Sequence, residues 1–415
     1  MEKKIKISLI TLVSDMHDPG KTTTAPGSPV LHLKAFFDIT EIPPEQVHEI
    51  TMDVPVVFIK TGGTEHKFKT LFPALKASGK PITLLSSGTD NSLPAALEIK
   101  YWLTLQGIKN VSLLHGTVES ITEKLTERCE YIRIQQSLNQ SKAGVVGKPS
   151  DWLIASSVDY GKVKEKWGIQ LLDIPLEEVV SNVHQVSPSE LKQARLHFPG
   201  PGSVCGPSEK EVEEAIKIYL AVRKIQKNYG LTALTVRCFD LLESLNNTGC
   251  LALAKLNDEG IPAGCEGDIP AMITMIINQL LTGQPGFMVN PSVIEKDSIL
   301  FAHCTVPMTL VDSFALKPHF ESGRGVAIAG TFSPSPVTIT KIMGIDLQQY
   351  FALQGRIVPH APLDRLCRTQ VKVIPDQPPG YFLENALGNH HIIGKGHYGA
   401  RFETLVGFLK NSNSG

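Results

Sequence analysis

The chain has 415 residues, of which 42% are hydrophobic and 20% are charged, and this composition excludes a wholly disordered protein. At roughly 100–200 residues per domain, the length predicts two to four domains. Because 40 Lys and Arg residues nearly balance 41 Asp and Glu residues, the chain has no basic field, and we expect neither nucleic acid nor a membrane as a partner.

The beginning of the chain, MEKKIKISLITLV, favours a buried strand over a signal peptide, because its apolar run is only about seven residues long and lacks a small-residue cleavage site. The longest apolar stretch, residues 271–281, is too short to span a bilayer. The 7 cysteines form no C-x-x-C pair, a pattern that favours reduced thiols and disfavours a zinc knuckle. We therefore expect a cytoplasmic protein.

Short, branched, apolar runs alternate with helical patterns over residues 1–142, which is typical of a doubly wound α/β domain with a parallel sheet. The predicted strands cover residues 5–13, 56–60, 82–86 and 111–115. A helix is predicted over residues 94–106, ended by Gly107, and the polar residues 135–142 are interpreted as a linker.

The same alternation over residues 143–306 predicts a second Rossmann-like α/β domain. Its predicted strands are 144–147, 152–156, 169–174, 234–238 and 298–304. A helix begins at Ser208, which forms a capping-box pattern with Glu211, and ends at Gly230; another helix covers residues 271–281.

Residues 307–415 carry alternating apolar runs separated by turn residues, which predicts a β-rich, barrel-like C-terminal domain. The predicted strands are 325–332, 337–343, 350–358 and 370–375. A closing helix is predicted over residues 399–409. The complete prediction is an α/β protein with two doubly wound domains followed by this β-rich domain.

Two glycine-containing loops, KTGGTEHK (60–67) and SSGTDNS (86–92), follow predicted strands of the first domain. Neither matches a dinucleotide-binding or Walker loop, so tight turns between strand and helix are the favoured interpretation. Because such loops lie at the carboxyl edge of the sheet, we still expect ligands near that edge.

The segment GCEGD (264–268) places two carboxylates, Glu266 and Asp268, between glycines at the junction of a strand and an apolar helix. On an extended backbone, positions two apart point to the same side, so we expect the two side chains to share one face. For Asp268 an N-cap role is equally favoured, whereas for Glu266 a functional role is preferred.

Three further segments contain candidate functional residues: the ends of two predicted strands and a glycine-rich segment near the C-terminus. Asn290, before a proline in FMVNPS, is interpreted as a turn, and His303 in FAHCTVP is either a core residue or a ligand. GNHHIIGKGHYG (388–399) holds three histidines and a lysine. Together, Glu266, His303 and His390 or His391 form a mixed oxygen and nitrogen donor set, which suits Mn²⁺ or a similar cation.

In this order, the four segments resemble the L-fucose isomerase/L-arabinose isomerase superfamily, over about residues 264–409. In GCEGDIPAMITM, Glu266 takes the place of the family's metal-ligand glutamate. In LTGQPGFMVN, Asn290 stands where fucose isomerases carry an aspartate that is both ligand and acid/base. In FAHCTVP and GNHHIIGKGHYGARFETLVGFL, His303 and His390 match ligand histidines, with His391 as the alternative to His390.

The resemblance implies a homo-oligomeric aldose–ketose isomerase that uses Mn²⁺ or another divalent cation and passes through an enediolate. It implies Glu266 and Asn290 as catalytic residues, to which we add Asp268 as a candidate second carboxylate. The metal ligands would be Glu266, Asn290, His303 and His390. Asn389, His391 and Lys395 would contact the sugar.

Asn290 departs from the family pattern, because an amide cannot accept a proton as a carboxylate does. Three accounts remain: Asp268 or Asp240 supplies a second carboxylate, one carboxylate works with a water, or the protein binds sugar without turning it over. We prefer Asp268, which is two residues from Glu266. A non-catalytic sugar-binding relative is therefore the main alternative, and a nucleotide-dependent oxidoreductase is disfavoured by the missing glycine fingerprint.

The sequence does not identify the sugar. Candidate substrate contacts, which are equally explained as surface or structural charges, are Lys148, Asp151, Arg237, Arg324 and Arg356. The basic members of this set would suit an anionic substrate, such as a sulfonated or phosphorylated sugar.

Overall fold

The computed structural model describes residues 4–16, 29–49, 54–200 and 203–412. The chain divides into two compact units: Met1–Gln136 with Gly407–Gly415, and Ser137–Val406. In the described part of the chain, no helix is both long enough and apolar enough to cross a lipid bilayer.

The first unit is built on a parallel five-stranded sheet in the order β2-β1-β3-β4-β5. The elements in this part of the chain are β1 (Ile5–Leu12), α1 (Pro29–Phe36), β2 (Phe37–Glu41), β3 (Pro55–Ile59), α2 (Glu65–Ala77), β4 (Ile82–Ser86), α3 (Ser92–Leu105), β5 (Val111–Leu114) and α4 (Val118–Asn139). The four predicted strands are confirmed. Every residue of β3 and β4 is buried, as expected for a sheet that is covered on both faces. Strand β2 was not predicted from the sequence.

The predicted linker over residues 135–142 is wrong. Helix α4 continues to Asn139, and the next strand begins at Lys142. Ile134 and Leu138 are buried on one side of the helix, whereas Ser137 and Asn139 are exposed on the other. The polar run is therefore the outer face of an amphipathic helix, which composition alone does not distinguish from a linker.

The second unit begins with another α/β layer around a parallel four-stranded sheet in the order β7-β6-β8-β9. Its elements are β6 (Lys142–Val146), α5 (Tyr160–Trp167), β7 (Gln170–Ile174), α6 (Leu176–His184), α7 (Pro188–Arg195), α8 (Glu209–Tyr229), β8 (Ala233–Val236), α9 (Asp240–Leu245), α10 (Cys250–Asp258), β9 (Ala263–Cys265) and α11 (Ile269–Thr282). The predicted capping box at Ser208 and Glu211, and the left-handed C-cap at Gly230, are confirmed.

The predicted strand over residues 152–156 is wrong. These residues form turns, and Trp152 and Ile154 are 52% and 89% exposed. Their apolar side chains produced the strand-like pattern, although they do not pack into the sheet. This exposed segment follows β6, so it lies at the carboxyl end of the parallel strands.

The rest of the second unit forms a closed antiparallel barrel in the order β10-β11-β16-β15-β14-β17. The elements that follow α11 along the chain are β10 (Phe287–Ile294), β11 (Ile299–His303), β12 (Ser313–Lys317), β13 (Ala327–Thr331), β14 (Pro336–Met343), β15 (Gln349–Val358), β16 (Thr369–Pro375), α12 (Tyr381–Glu384), β17 (His391–Lys395) and α13 (Gly399–Ser412), whose last part belongs to the first unit. The β12–β13 pair forms a separate two-stranded sheet.

The barrel is filled by side chains from alternate positions of its strands, as the pleat of a closed sheet requires. Strands β10 and β11 belong to the barrel but precede residue 307. The barrel therefore begins earlier in the chain than the β-rich region predicted from the composition. The predicted fold class, with Rossmann-like sheets and a C-terminal barrel, is confirmed, while the domain limits 1–142, 143–306 and 307–415 stay predictions. Strands β9, β11 and β17 each have one end at the same region, where the candidate site lies.

Candidate active site

Glu266 follows the last residue of β9 and adopts a left-handed backbone conformation, with φ +61°. Gly267 comes next, with φ +71°, and a Cβ at that position would lie only 2.2 Å from the carbonyl oxygen of Lys148. A glycine is therefore required there. The backbone turns tightly between Glu266 and Asp268, so the expectation of an extended segment is wrong, although both carboxylates approach the same imidazole, that of His390.

The Glu266 carboxylate is buried and held from two directions. Its Oε2 accepts a hydrogen bond from Trp152 Nε1 at 2.6 Å, and its Oε1 lies 3.5 Å from His390 Nε2. Burial raises the pKa of Glu266, but His390, His303 and the Trp152 hydrogen bond more than offset this, and the pKa lies below its usual value. The group is therefore ionised at neutral pH.

Asp268 is fully buried and uses both carboxylate oxygens. Oδ1 accepts a hydrogen bond from the Ala271 N–H at 2.9 Å, which confirms the N-cap of α11, and Oδ2 accepts one from His390 Nδ1 at 2.9 Å. Burial raises the pKa of Asp268, but Lys341 and His390 lower it by more, so that the pKa is about 2. Asp268 thus begins the helix and orients the imidazole.

His390 lies just before β17 and connects the two carboxylates. Its Nδ1 is taken by Asp268, whereas its Nε2 is buried and has no hydrogen-bond partner among the described residues, because the 3.5 Å separation from Glu266 is too long. Burial lowers the pKa of His390, but the two carboxylates raise it to about 9. The ring is therefore protonated at neutral pH, and Nε2, which faces Glu266, would give up its proton on binding a cation.

His303 ends β11 and approaches His390, with ring centroids 5.5 Å apart. Its Nδ1 lies 3.0 Å from the Thr305 hydroxyl, which leaves Nε2 for another ligand. Burial, with a contribution from His390, lowers the pKa of His303 to about 3, so its imidazole is neutral at physiological pH. A neutral imidazole is the form that binds metal ions.

Glu266 and His303 border one cavity of about 70 Å³, whereas Asp268 and His390 lie behind them and are not among its lining residues. Its polar lining includes Glu266, Asn290, His303, His319 and Glu321. The Asn290 Oδ1 atom is buried without a hydrogen-bond partner among the described residues. The structure therefore brings together Glu266, Asn290 and His303, which the sequence analysis selected from three distant segments.

Cysteines that are far apart in the sequence also border the cavity. Cys238, Cys250, Cys265, Cys304 and Cys367 all border it, and the sulfur atoms of Cys238 and Cys265 are 2.6 Å apart. Ligand atoms of Cys265, Glu266 and His303 lie within 4.8 Å of one another, close enough to bind one cation. Contact with Cys238, together with burial, raises the pKa of Cys265 well above its usual value, so this thiol is protonated.

An aromatic wall extends from Trp152 toward the cavity. Trp152 packs edge-on against Phe239, with centroids 5.3 Å apart, and Phe239 packs edge-on against His319 at 5.5 Å. Phe239 and His319 border the cavity. None of the three residues was predicted from the sequence as part of the site. The available signal is position, because Trp152 and Phe239 follow the carboxyl ends of β6 and β8.

The substrate contacts expected in the C-terminal segment stay predictions. Asn389 is exposed, and its carbonyl oxygen accepts from His391 Nδ1 at 2.9 Å. His391 is fully buried in the barrel among Tyr381 and Phe382, and Lys395 is half-buried on β17. None of the three expected contacts is among the residues that border the cavity.

The candidate acidic and anion-binding residues also lie outside the cavity lining. Arg237 forms ion pairs with Asp151 at 2.7 Å and Asp240 at 2.8 Å, so all three are engaged with one another. Arg324 donates to the Asn246 side chain at 2.9 Å. Lys148 and Arg356 are exposed.

Sequence analysis also missed Lys341, a fully buried lysine on β14. Its charge is a cause of the low pKa of Asp268, and burial in turn lowers the pKa of Lys341 itself. A signal was present, because Lys341 continues the alternation of Val337 and Ile339, which fill the barrel. A charged residue at an inward-facing position of an apolar strand is rare without a functional or pairing reason.

Comparison with characterised proteins finds sugar isomerases. Sulfoquinovose isomerase from Priestia aryabhattai is 25% identical over 194 residues, which cover 45% of this chain and 43% of that protein. The enzyme of the same name from Clostridium sp. (strain MSTE9) is 32% identical over 98 residues, 23% of this chain and 22% of that protein. That from Alkalicoccus urumqiensis is 24% identical over 184 residues, 41% of this chain and 40% of that protein.

The aligned part of the chain spans less than half the length of these relatives. No family model matches the chain. The similarity is to isomerases of a sugar, which agrees with the reaction class that the motif resemblance implies.

Proposed function

We propose that this protein is a metal-dependent aldose–ketose isomerase that acts on an open-chain sugar through an enediolate. The observation that supports this best is the meeting of Glu266 with His303, Asn290 and His390 at one end of the barrel. Proton transfer between neighbouring carbons requires a base and a group that stabilises negative charge. An ionised carboxylate can act as the base, and the imidazole nitrogens and the amide oxygen can bind a cation that stabilises the charge.

The donor atoms fit a divalent cation such as Mn²⁺. Asn290 Oδ1 and His390 Nε2 are buried without partners among the described residues, and a buried polar atom without a partner costs free energy unless a ligand satisfies it. The proposed ligands are Glu266, Asn290, His303 and His390. A divalent cation stabilises negative charge that develops on the sugar oxygens.

Glu266 is the proposed base. It accepts the proton from C2 of the aldose and returns a proton to C1, while the hydroxyl proton of O2 passes to O1, so that the aldehyde becomes a hydroxymethyl group and C2 becomes a ketone. Trp152 fixes one oxygen of the carboxylate, and the other faces His390. Asp268, whose oxygens are both engaged, orients His390, so its proposed part is positioning of the imidazole.

The relatives are named for sulfoquinovose, a sugar that carries a sulfonate group. We therefore propose an anionic sulfonated sugar as the first substrate to test, within a panel that also includes neutral aldoses. Assembly as a homo-oligomer and action in the cytoplasm stay predictions.

The test follows ketose formation and the exchange of the C2 proton in D₂O with added Mn²⁺. We expect one sugar of the panel to be isomerised with C2 exchange, and we expect EDTA to stop both processes. A metal-replete protein that neither exchanges C2 nor forms ketose from any sugar would contradict the proposal. If such a protein still bound a sugar, the non-catalytic alternative, which the amide at Asn290 favours, would replace it.

A further inference from the structure

Trp152 lies on an anchored loop and is nevertheless half exposed. The loop follows β6, and two hydrogen bonds hold its backbone beside the candidate site. The Ser150 N–H donates to the carbonyl oxygen of Glu266 at 2.8 Å, and Arg237 Nη1 donates to the carbonyl oxygen of Pro149 at 2.8 Å. Although the backbone is held in this way, 52% of Trp152 stays accessible to solvent. The exposure of its side chain is therefore built into the loop.

The indole of Trp152 connects the buried carboxylate with the surface. Its Nε1 donates to Glu266 Oε2 at 2.6 Å, and its ring packs edge-on against Phe239, which borders the cavity. The Glu266 side chain keeps 9% of its own surface accessible. A tryptophan whose N–H is bonded and whose ring is partly uncovered is typical of binding surfaces. A smaller amide side chain could donate the same hydrogen bond, so the uncovered ring is available for a second contact.

The cavity beside Glu266 is too small for a whole sugar. Its volume is about 70 Å³, whereas sites for small molecules typically have about 300–1,000 Å³. Because a water molecule takes up about 30 Å³, the cavity has room for a cation and one or two oxygen ligands. Only the C1–C2 end of a sugar can therefore enter, and its remaining carbons have to lie outside the cavity, next to Glu266.

We propose that Trp152 is a substrate-binding residue of the candidate site. Its N–H holds the Glu266 carboxylate, and its exposed ring packs against the carbons of the sugar beyond C2. Aromatic side chains are common in ligand sites because they offer a flat apolar surface to C–H groups. This inference rests on the proposed function, since it places the sugar beside the same base.

The first test measures binding and does not depend on turnover. Trp152 is more exposed than Trp102 and Trp167, the other two of the 3 tryptophans, so acrylamide should quench its fluorescence most. At a fixed concentration of Mn²⁺, each sugar of the panel is added to the wild type, beginning with sulfoquinovose. The sugar that binds should lower the acrylamide quenching constant by about half, because it covers the ring. Trp152→Phe should show no such change.

The second test uses kinetics on the sugar that the wild type isomerises. Trp152→Phe keeps an aromatic ring but removes the N–H, so kcat should fall about 10-fold while KM changes little. Trp152→Ala removes both, so KM should also rise by about 5–10-fold. Ile154→Ala is the matched control, because Ile154 is 89% exposed on the same loop, and its kcat and KM should equal those of the wild type.

Any of four results would overturn the inference. These are a quenching constant that stays unchanged with a sugar that is isomerised, a kcat of Trp152→Phe equal to that of the wild type, a KM of Trp152→Ala equal to that of Trp152→Phe, and an equal rise of KM in Ile154→Ala. If Trp152→Ala does not fold, Trp152→Leu takes its place with the same expectations.

The two tests also separate this inference from the proposed function. If the wild type isomerises no sugar but a sugar still protects Trp152 from acrylamide, the proposed function fails and the binding role of Trp152 stands. If a sugar is isomerised without protecting Trp152, the proposed function stands and the binding role fails. With neither turnover nor protection, both fail.

Discussion

Glu266 combines a strained backbone, a buried carboxylate and a lowered pKa in one residue. Glu266→Gln keeps the shape and the acceptor for Trp152, but an amide cannot take up the C2 proton. We expect turnover and C2 exchange to fall by about 10²–10⁴-fold, with the melting temperature nearly unchanged. Glu295→Gln, an exposed barrel position paired with Lys372, is the matched control. Comparable activity in the two variants would remove Glu266 from the mechanism.

Asn290 offers a test of the proposed metal site. Because its Oδ1 is buried without a partner at the cavity, Asn290→Asp adds a negative charge where the proposed cation is bound. We expect Mn²⁺ binding, followed by electron paramagnetic resonance, to tighten on the order of tenfold. Unchanged or weaker binding would show that position 290 does not contact the cation.

Asp268 predicts a pH dependence of stability. Its pKa is about 2 in the folded protein against an ordinary value of 3.8, so the unfolded chain binds the proton more readily. The contribution, about 2 kcal/mol, is present above pH 3.8 and is lost as the pH falls toward 2. Urea unfolding across this range should show a shallower loss of stability for Asp268→Asn than for the wild type, and equal slopes would contradict the assignment.

At the scale of elements, the turn between β9 and α11 depends on Gly267. An alanine there would meet the carbonyl of Lys148 and would also carry a positive φ. Gly283, at the end of α11, has a similar φ of +69°, but a Cβ there meets nothing within 4 Å. Gly283→Ala therefore isolates the backbone strain, of about 1–2 kcal/mol, and we expect Gly267→Ala to cost about 1–3 kcal/mol more.

Chemical denaturation of the two alanine variants measures this difference. The prediction also has a functional side, because a shifted turn moves Glu266 away from Trp152 and His390. Gly267→Ala should lose activity, whereas Gly283→Ala should keep it. Equal unfolding free energies for the two variants would show that the clash with Lys148 is relieved without cost.

The elements that sequence analysis predicted are those whose signals are local. A few neighbouring residues are enough to predict the buried strands β3 and β4 and the Ser208–Glu211 capping box. The polar residues 135–142 and the apolar residues 152–156 were misread because the sequence does not tell which side chains face solvent. That information comes from packing against distant elements.

At the scale of the whole molecule, the same limit applies to the site. His303, Asn290 and Glu266 were selectable because each ends or interrupts an apolar strand. The inward position of Lys341 and the meeting of five cysteines at one cavity depend on how the barrel closes against the second sheet. Sequence spacing does not contain these long-range contacts.

The burial of the cysteines leads to a labelling prediction. Cys205 is exposed, whereas Cys238, Cys250, Cys265 and Cys304 are buried. Because alkylation needs access to the sulfur, iodoacetamide should modify Cys205 in the native protein and reach these cysteines, together with the buried Cys129, only after unfolding. Peptide mapping by mass spectrometry measures this order, and rapid native labelling of Cys265 would contradict the burial of the cavity wall.

The closed barrel has a consequence for how this protein can vary. Every barrel strand is hydrogen-bonded on both sides, so inserting or deleting a residue in one strand would displace its neighbours around the ring. Asn290 and His303 sit on such strands, and His390 adjoins a third. Changes in length among descendants of this chain should therefore accumulate in the connecting loops, while the ring keeps its residue count.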